Sequence, residues 1–229
     1  MSKKKYLSLV GAMVLVVGLM QAQIDIGFRS GPTFNTIYQS QSLDAVTPDL
    51  DYLIGFSGGV YADIPLSSQL SFQPELAYSQ KGFSLAQGAD IDLFGAPLPI
   101  GVRADTRFDY LDLPLLIKAK FGSDNFKAFV MGGPSIGYAL NGRVKTRATG
   151  FLDTDITNTS IDLDAINYNR FEVAGVVGAG VEFDANFGKI SLDGRFNQGF
   201  TQLYDIPLVG ENVKNRGFAV NAGIAIPLN

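Results

Sequence analysis

The sequence predicts an all-β fold, an eight-stranded antiparallel up-and-down transmembrane β-barrel. Three observations predict it: an N-terminal secretory signal, eight stretches that alternate apolar and polar residues, and connections that alternate short and long. A strand turns successive side chains to opposite faces, so each stretch has one wet face and one greasy face. Lys189, Ser191, Asp193, Arg195 and Asn197 interleave with Ile190, Leu192, Gly194 and Phe196.

The chain divides into a signal peptide, residues 1–22, and one barrel domain, residues 23–229. Lys3, Lys4 and Lys5 form a basic start, Tyr6 to Met20 is an apolar run, and Ala22 suits cleavage. That run is short of the roughly 20 residues a spanning helix needs. Without the three signal lysines, 15 of the 18 Lys and Arg remain against 22 Asp and Glu, a formal charge of −7. An acidic chain is a poor partner for nucleic acid, whose phosphates need a basic patch. There is no Cys, so no disulfide forms, and there is no His or Trp.

The strands are expected at 24–35, 52–65, 69–82, 106–121, 125–142, 166–184, 189–200 and 216–228. Several exceed the roughly 9–11 residues that cross a bilayer and would project beyond it. Parity assigns the apolar faces. The first strand gives Ile26, Phe28 and Phe34; the second, Ile54, Phe56 and Val60; the third, Leu70, Phe72 and Leu76. The fourth gives Leu111, Leu113, Leu115 and Ile117; the fifth, Val130, Ile136 and Tyr138; the sixth, Val173, Val177 and Val181; the eighth, Phe218, Val220 and Ile224. Arg107 and Asp109 share parity with Leu111 but stand at one end of their strand, where headgroups or water receive them.

The opposite faces carry a charge network expected to line the lumen: Arg29, Glu75, Asp112, Lys118, Glu172, Glu182, Asp193 and Arg195. Asp25, Asp63, Lys81, Lys120, Lys127, Arg170 and Lys189 share that parity. An eight-stranded barrel has room inside only for side chains, and buried charges must pair. The expectation is therefore internal salt bridges and a closed lumen. A soluble barrel with the greasy face inside is the alternative; the signal, strand length and loop asymmetry favour the membrane.

Three connections are short, 66–68, 122–124 and 185–188, and alternate with four long ones, 36–51, 83–105, 143–165 and 201–215. Outer-membrane barrels have short periplasmic turns and long extracellular loops. Both mature termini are therefore expected in the periplasm, with the whole −7 in the long loops. Tyr38, Tyr52, Phe108, Tyr168, Phe200 and Tyr204 lie near the loop bases, where an interfacial aromatic girdle belongs.

Residues 110–121, Tyr-Leu-Asp-Leu-Pro-Leu-Leu-Ile-Lys-Ala-Lys-Phe, are followed by Phe-Lys-Ala-Phe-Val-Met-Gly-Gly-Pro-Ser at 126–135. Later come Gly-Ala-Gly-Val-Glu-Phe at 178–183 and Phe-Ala-Val-Asn-Ala-Gly-Ile-Ala-Ile at 218–226. With these segments the mature chain resembles the PorT-like outer-membrane β-barrel family of Bacteroidota. The resemblance implies an eight-stranded barrel in the bacterial outer membrane. The member that names the family is linked to protein secretion, a role the wider family does not share by default. The chain departs from many such barrels in closing on Pro227-Leu228-Asn229 rather than on an aromatic residue.

Without His, neither a Ser-His-Asp triad, an Asp-His pair nor a His-ligated zinc site is possible. Glu172 and Glu182 share inward parity but stand roughly 33 Å apart along one strand, too far to act on one atom. No catalytic, cofactor-binding or metal-binding residue is expected. The four carboxylates of loop 153–164 offer oxygen ligands for Ca²⁺ but lack the Gly turn and terminal Glu of an EF-hand. A solvated acidic loop is therefore expected, with strand extension above the membrane as the alternative its partial alternation offers. Gly58-Gly59 and Gly132-Gly133 lie inside strands with no helix following, which suits crowded lumen positions or bends.

The expected function is that of a non-enzymatic outer-membrane barrel, monomeric, with a structural or surface-interaction role. Its expected partners are outer-membrane lipid and an envelope or extracellular protein met through the long loops. The alternatives are an accessory part of a secretion machine, a ligand-binding or adhesion barrel, and a small-solute pore.

Overall fold

A computed structural model describes residues 23–38, 50–93, 96–149, 154–203 and 213–228. The expected signal peptide lies outside them. The strands are β1 Asp25–Tyr38, β2 Leu50–Asp51, β3 Leu53–Pro65, β4 Leu70–Leu93, β5 Ala96–Gly122, β6 Phe126–Thr149, β7 Thr154–Ile161, β8 Phe171–Ala185, β9 Gly188–Gly199 and β10 Lys214–Pro227. Eight of them form a closed antiparallel ring in the order β1-β3-β4-β5-β6-β8-β9-β10. The seam is β1 against β10, with Ile26 opposite Ile226 and Phe34 opposite Phe218. Closure gives each of the eight ring strands a neighbour on both sides, which a bilayer requires. The expected up-and-down barrel is therefore the observed fold, with β2 paired to β4 and β7 to β6 outside the ring.

The strands run longer than the sequence suggests. β4 and β5 pair as far as Leu93 opposite Ala96, and β6 stays on β5 up to Thr149 opposite Gly101. Segments 83–105 and 143–165, expected as loops, are thus largely strand. Their side-chain alternation is weak, but a backbone ladder needs only a neighbouring strand to continue. β7 realises the alternation noted in loop 153–164. β8 begins at Phe171 rather than at 166, because residues 163–167 make a turn with Asn167 in the left-handed region at φ 50°.

Outward faces are apolar and exposed: Ile54, Val177 and Phe183 are 63%, 59% and 52% accessible. Leu111 to Phe121 spans roughly 33 Å along β5, or about 25 Å vertically at the usual strand tilt, the height of a membrane belt. The barrel is tightly wound. A Cβ on Gly133 would lie 2.1 Å from the Leu115 carbonyl oxygen, so the crowding expected there is real. Asp25 and Pro227 face each other at the end that carries the short turns 66–69, 123–125 and 186–187.

Candidate functional site

The interior holds three tiers of charge. Nearest the short turns, Lys118 Nζ lies 2.6 Å from Glu182 Oε2 and 3.4 Å from Asp63 Oδ2. Lys120 Nζ joins them at 2.7 Å from Asp63 and 3.6 Å from Glu182. Lys189 pairs with Asp25 at the same end. In the middle tier Glu75 receives Arg29 Nε at 2.7 Å and Arg195 Nη1 at 2.9 Å. Arg195 Nε also donates to Asp193 at 2.6 Å. Asn221 accepts from Arg29 at 3.0 Å and donates to Asp193 at 3.0 Å, and Gln73 donates to Glu75 at 2.6 Å. In the third tier Lys81 Nζ sits 2.9 Å from Asp112 and 2.6 Å from Glu172. Ser79 donates to Asp112, and Asn215 donates to Glu172 at 3.0 Å.

Apolar groups fill the space beside these tiers. Leu116, Phe129, Met131 and Val176 form one buried cluster, with Lys118 Nζ 4.1 Å from the Phe129 ring centre. A second cluster, Phe108, Tyr110, Ala139, Leu163, Tyr168 and Leu203, lies beyond the third tier. Phe108 and Tyr168 stack at 4.5 Å with 19° between rings, and the Tyr110 and Tyr168 hydroxyls meet at 2.5 Å. The turn at 163–167 folds Leu163 and Tyr168 inward over Tyr110. Lumenal space remains as a cavity of about 50 Å³ between Arg29, Lys81, Glu172 and Asn215.

All eight charges expected in the lumen are buried there, each with a partner of opposite sign. Three sequence expectations are corrected. Arg170 precedes β8, and its guanidinium bonds the exposed Asp164 at 3.0 and 2.9 Å rather than facing the lumen. Those bonds hold the Asp164 carboxyl below the usual carboxylate range. Phe108 and Tyr168 are 1% and 5% accessible and belong to the inner cluster, Phe108 because even parity on β5 points inward and Tyr168 because the 163–167 turn lays it on Phe108 and Tyr110. Tyr38, Tyr52 and Phe200 are exposed as a girdle requires, and Tyr204 lies outside the described residues. The neutral links Gln73, Ser79, Asn215 and Asn221 were missed. Inward parity was their signal, and Asn221 is wholly buried.

Every carboxylate of the three tiers is paired with a cation. Among the described residues no three His, Cys, Asp or Glu are grouped to hold a metal ion.

A family model described as outer membrane protein beta-barrel domain matches residues 21–205. No curated protein matches the chain. Among solved structures, the attachment invasion locus protein Ail of Yersinia pestis is 14% identical with a TM-score of 0.43, covering 89% of this chain and 99% of that one. OprG of Pseudomonas aeruginosa is 11% identical at 0.41, covering 90% and 95%. Neisserial surface protein A is 12% identical at 0.37, covering 88% and 96%.

Proposed function

The chain belongs to the outer membrane protein beta-barrel domain family, and from that premise we propose that it is a non-enzymatic, closed barrel with a structural or surface-interaction role. Its place is the bacterial outer membrane. In this reading the termini and short turns face the periplasm, and the β4–β5 and β6–β7 extensions stand on the outer surface of a monomer. The observation that carries it is the filled lumen: three tiers of ion pairs under the cluster of Phe108, Tyr110 and Tyr168. A pore needs a continuous wet path, and these groups occupy its cross-section.

Conductance of the purified protein in planar bilayers tests the reading. No stable unitary current is expected; a reproducible one would select the small-solute pore instead. The narrower PorT-like affiliation rests on segments 110–121 and 126–135. Asp112, Lys118 and Ser135 of those segments are buried in the lumen, so they support a shared interior rather than a shared secretion role. Co-purification with a large envelope complex would select the secretion reading.

A further inference from the structure

Above the apolar belt the outward face of the sheet turns basic. On β5 the parity of Leu111 and Leu113 continues through Asp109, Arg107, Asp105 and Arg103. On β6 the register shifts: Tyr110 faces Ala139 and Asp109 faces Asn141. The extra residue is Leu140. This bulge switches the parity of β6, so Arg143, Lys145 and Arg147 point to the same outward side as Arg107. Without it they would face the other way.

The result sets like charges opposite each other: Arg107 faces Arg143, and Arg103 faces Arg147. Such cross-strand pairs are unfavourable unless an anion lies between them. Asp105 supplies one for the upper pair, at 3.2 Å from Arg103 and 2.9 Å from Arg147. Among the described residues no carboxylate bridges the lower pair. Asp109 takes Arg143 at 2.9 Å, while among the described residues Arg107 donates to the Ile54 carbonyl alone, at 3.2 Å. Arg107, Arg143, Lys145, Arg147, Asp105 and Asn158 line an open cavity of about 230 Å³.

Position identifies the occupant. Arg107 lies four residues from Leu111, about 13 Å along the same face of the same strand. Its hydrogen-bond partner Ile54 is itself one of the most exposed belt residues. At that depth, on a lipid-facing surface, the neighbouring anions are headgroup phosphates, which arginine forks bind well. We infer that the outward faces of β5 and β6 bind a phosphorylated glycolipid of the outer leaflet, with its phosphate between Arg107 and Arg143. The inference rests on the orientation proposed above.

The test titrates the full chain in zwitterionic detergent with lipopolysaccharide, with the same glycolipid dephosphorylated, and with inorganic phosphate as competitor. The phosphorylated form is expected to bind at least about tenfold more tightly than the dephosphorylated form. Arg107→Gln is expected to weaken it by about tenfold. Equal binding of both forms would overturn the inference, as would unchanged binding in Arg107→Gln and in Arg107→Gln/Arg143→Gln. Displacement by equimolar inorganic phosphate would also overturn it, by assigning the site to free phosphate. Arg143→Gln leaves Asp109 short of a partner; should the double variant fail to fold, Arg107→Gln decides alone, because it loses a single carbonyl contact. Surface labelling of Ser160→Cys separates the two readings. Labelled cells without glycolipid binding refute only this inference, whereas protected Ser160→Cys together with labelled Asn186→Cys, in the turn between β8 and β9, refutes the orientation on which it stands.

Discussion

Lys118 and Glu182 are 64 positions apart in the chain and 2.6 Å apart across the barrel. Lys118 is 2% accessible and Glu182 5%, so the pair is withdrawn from water and joins β5 to β8 across the lumen. Removing Lys118 leaves buried Glu182 with Lys120 alone, at the longer distance of 3.6 Å. Lys118→Met should cost about 3–5 kcal/mol in urea unfolding followed by heat-modifiable gel mobility. Lys120→Met should cost less, because Lys120 is the more exposed lysine, and Lys118 still meets Glu182 at 2.6 Å and Asp63 at 3.4 Å. Equal losses would show that the two lysines share the charge evenly.

Glu75 is the only carboxylate bonded to both Arg29 and Arg195 among the described residues. Glu75→Gln sets two guanidinium groups against each other with Asp193 alone between them. Asp193→Asn leaves Arg195 its contacts with Glu75. Glu75→Gln should therefore be the more damaging by at least about 1 kcal/mol, read as the difference between the two urea midpoints. The reverse order would move the centre of the tier to Asp193.

Lipid exposure is testable by a single charge. Val177→Arg places a cation in the belt and should cost about 2–4 kcal/mol in folding into phosphatidylcholine vesicles. Ile156→Arg, on the exposed part of β7, should stay within about 0.5 kcal/mol of the parent. Similar costs at both positions would refute the face assignment.

The inner aromatic cluster holds the segment that leads into β8. Tyr168→Ala removes the stack on Phe108 and the bond to Tyr110 and should cost about 3–5 kcal/mol. Amide exchange should rise at residues 162–170 and stay low along the β1–β10 seam. Uniform acceleration would mean that the cluster supports the whole ring.

The chain has no cysteine, so single introduced thiols report sidedness without background. On intact cells a membrane-impermeant maleimide should label Ser160→Cys in β7 and spare Asn186→Cys in the turn between β8 and β9. The opposite pattern would invert the proposed orientation.

Strand number, belt and lumen were readable because a strand has period two and its neighbours preserve it. Val177 and Glu182 could be sorted to opposite faces without knowing what either touches. Phe108 and Arg143 were misplaced, the first as girdle and the second as loop, because their neighbours alternate weakly and nothing local marks where pairing stops. The sequence by itself determined the membrane barrel and which face of each strand carries the charges, since alternation is a property of the single strand. Only the tertiary structure decided that Lys118 meets Glu182, that the 163–167 turn folds inward, and that the Leu140 bulge gathers Arg107 with Arg143. Those outcomes depend on register between strands far apart in the chain, and register is set by ring closure and by where one extra residue enters the ladder.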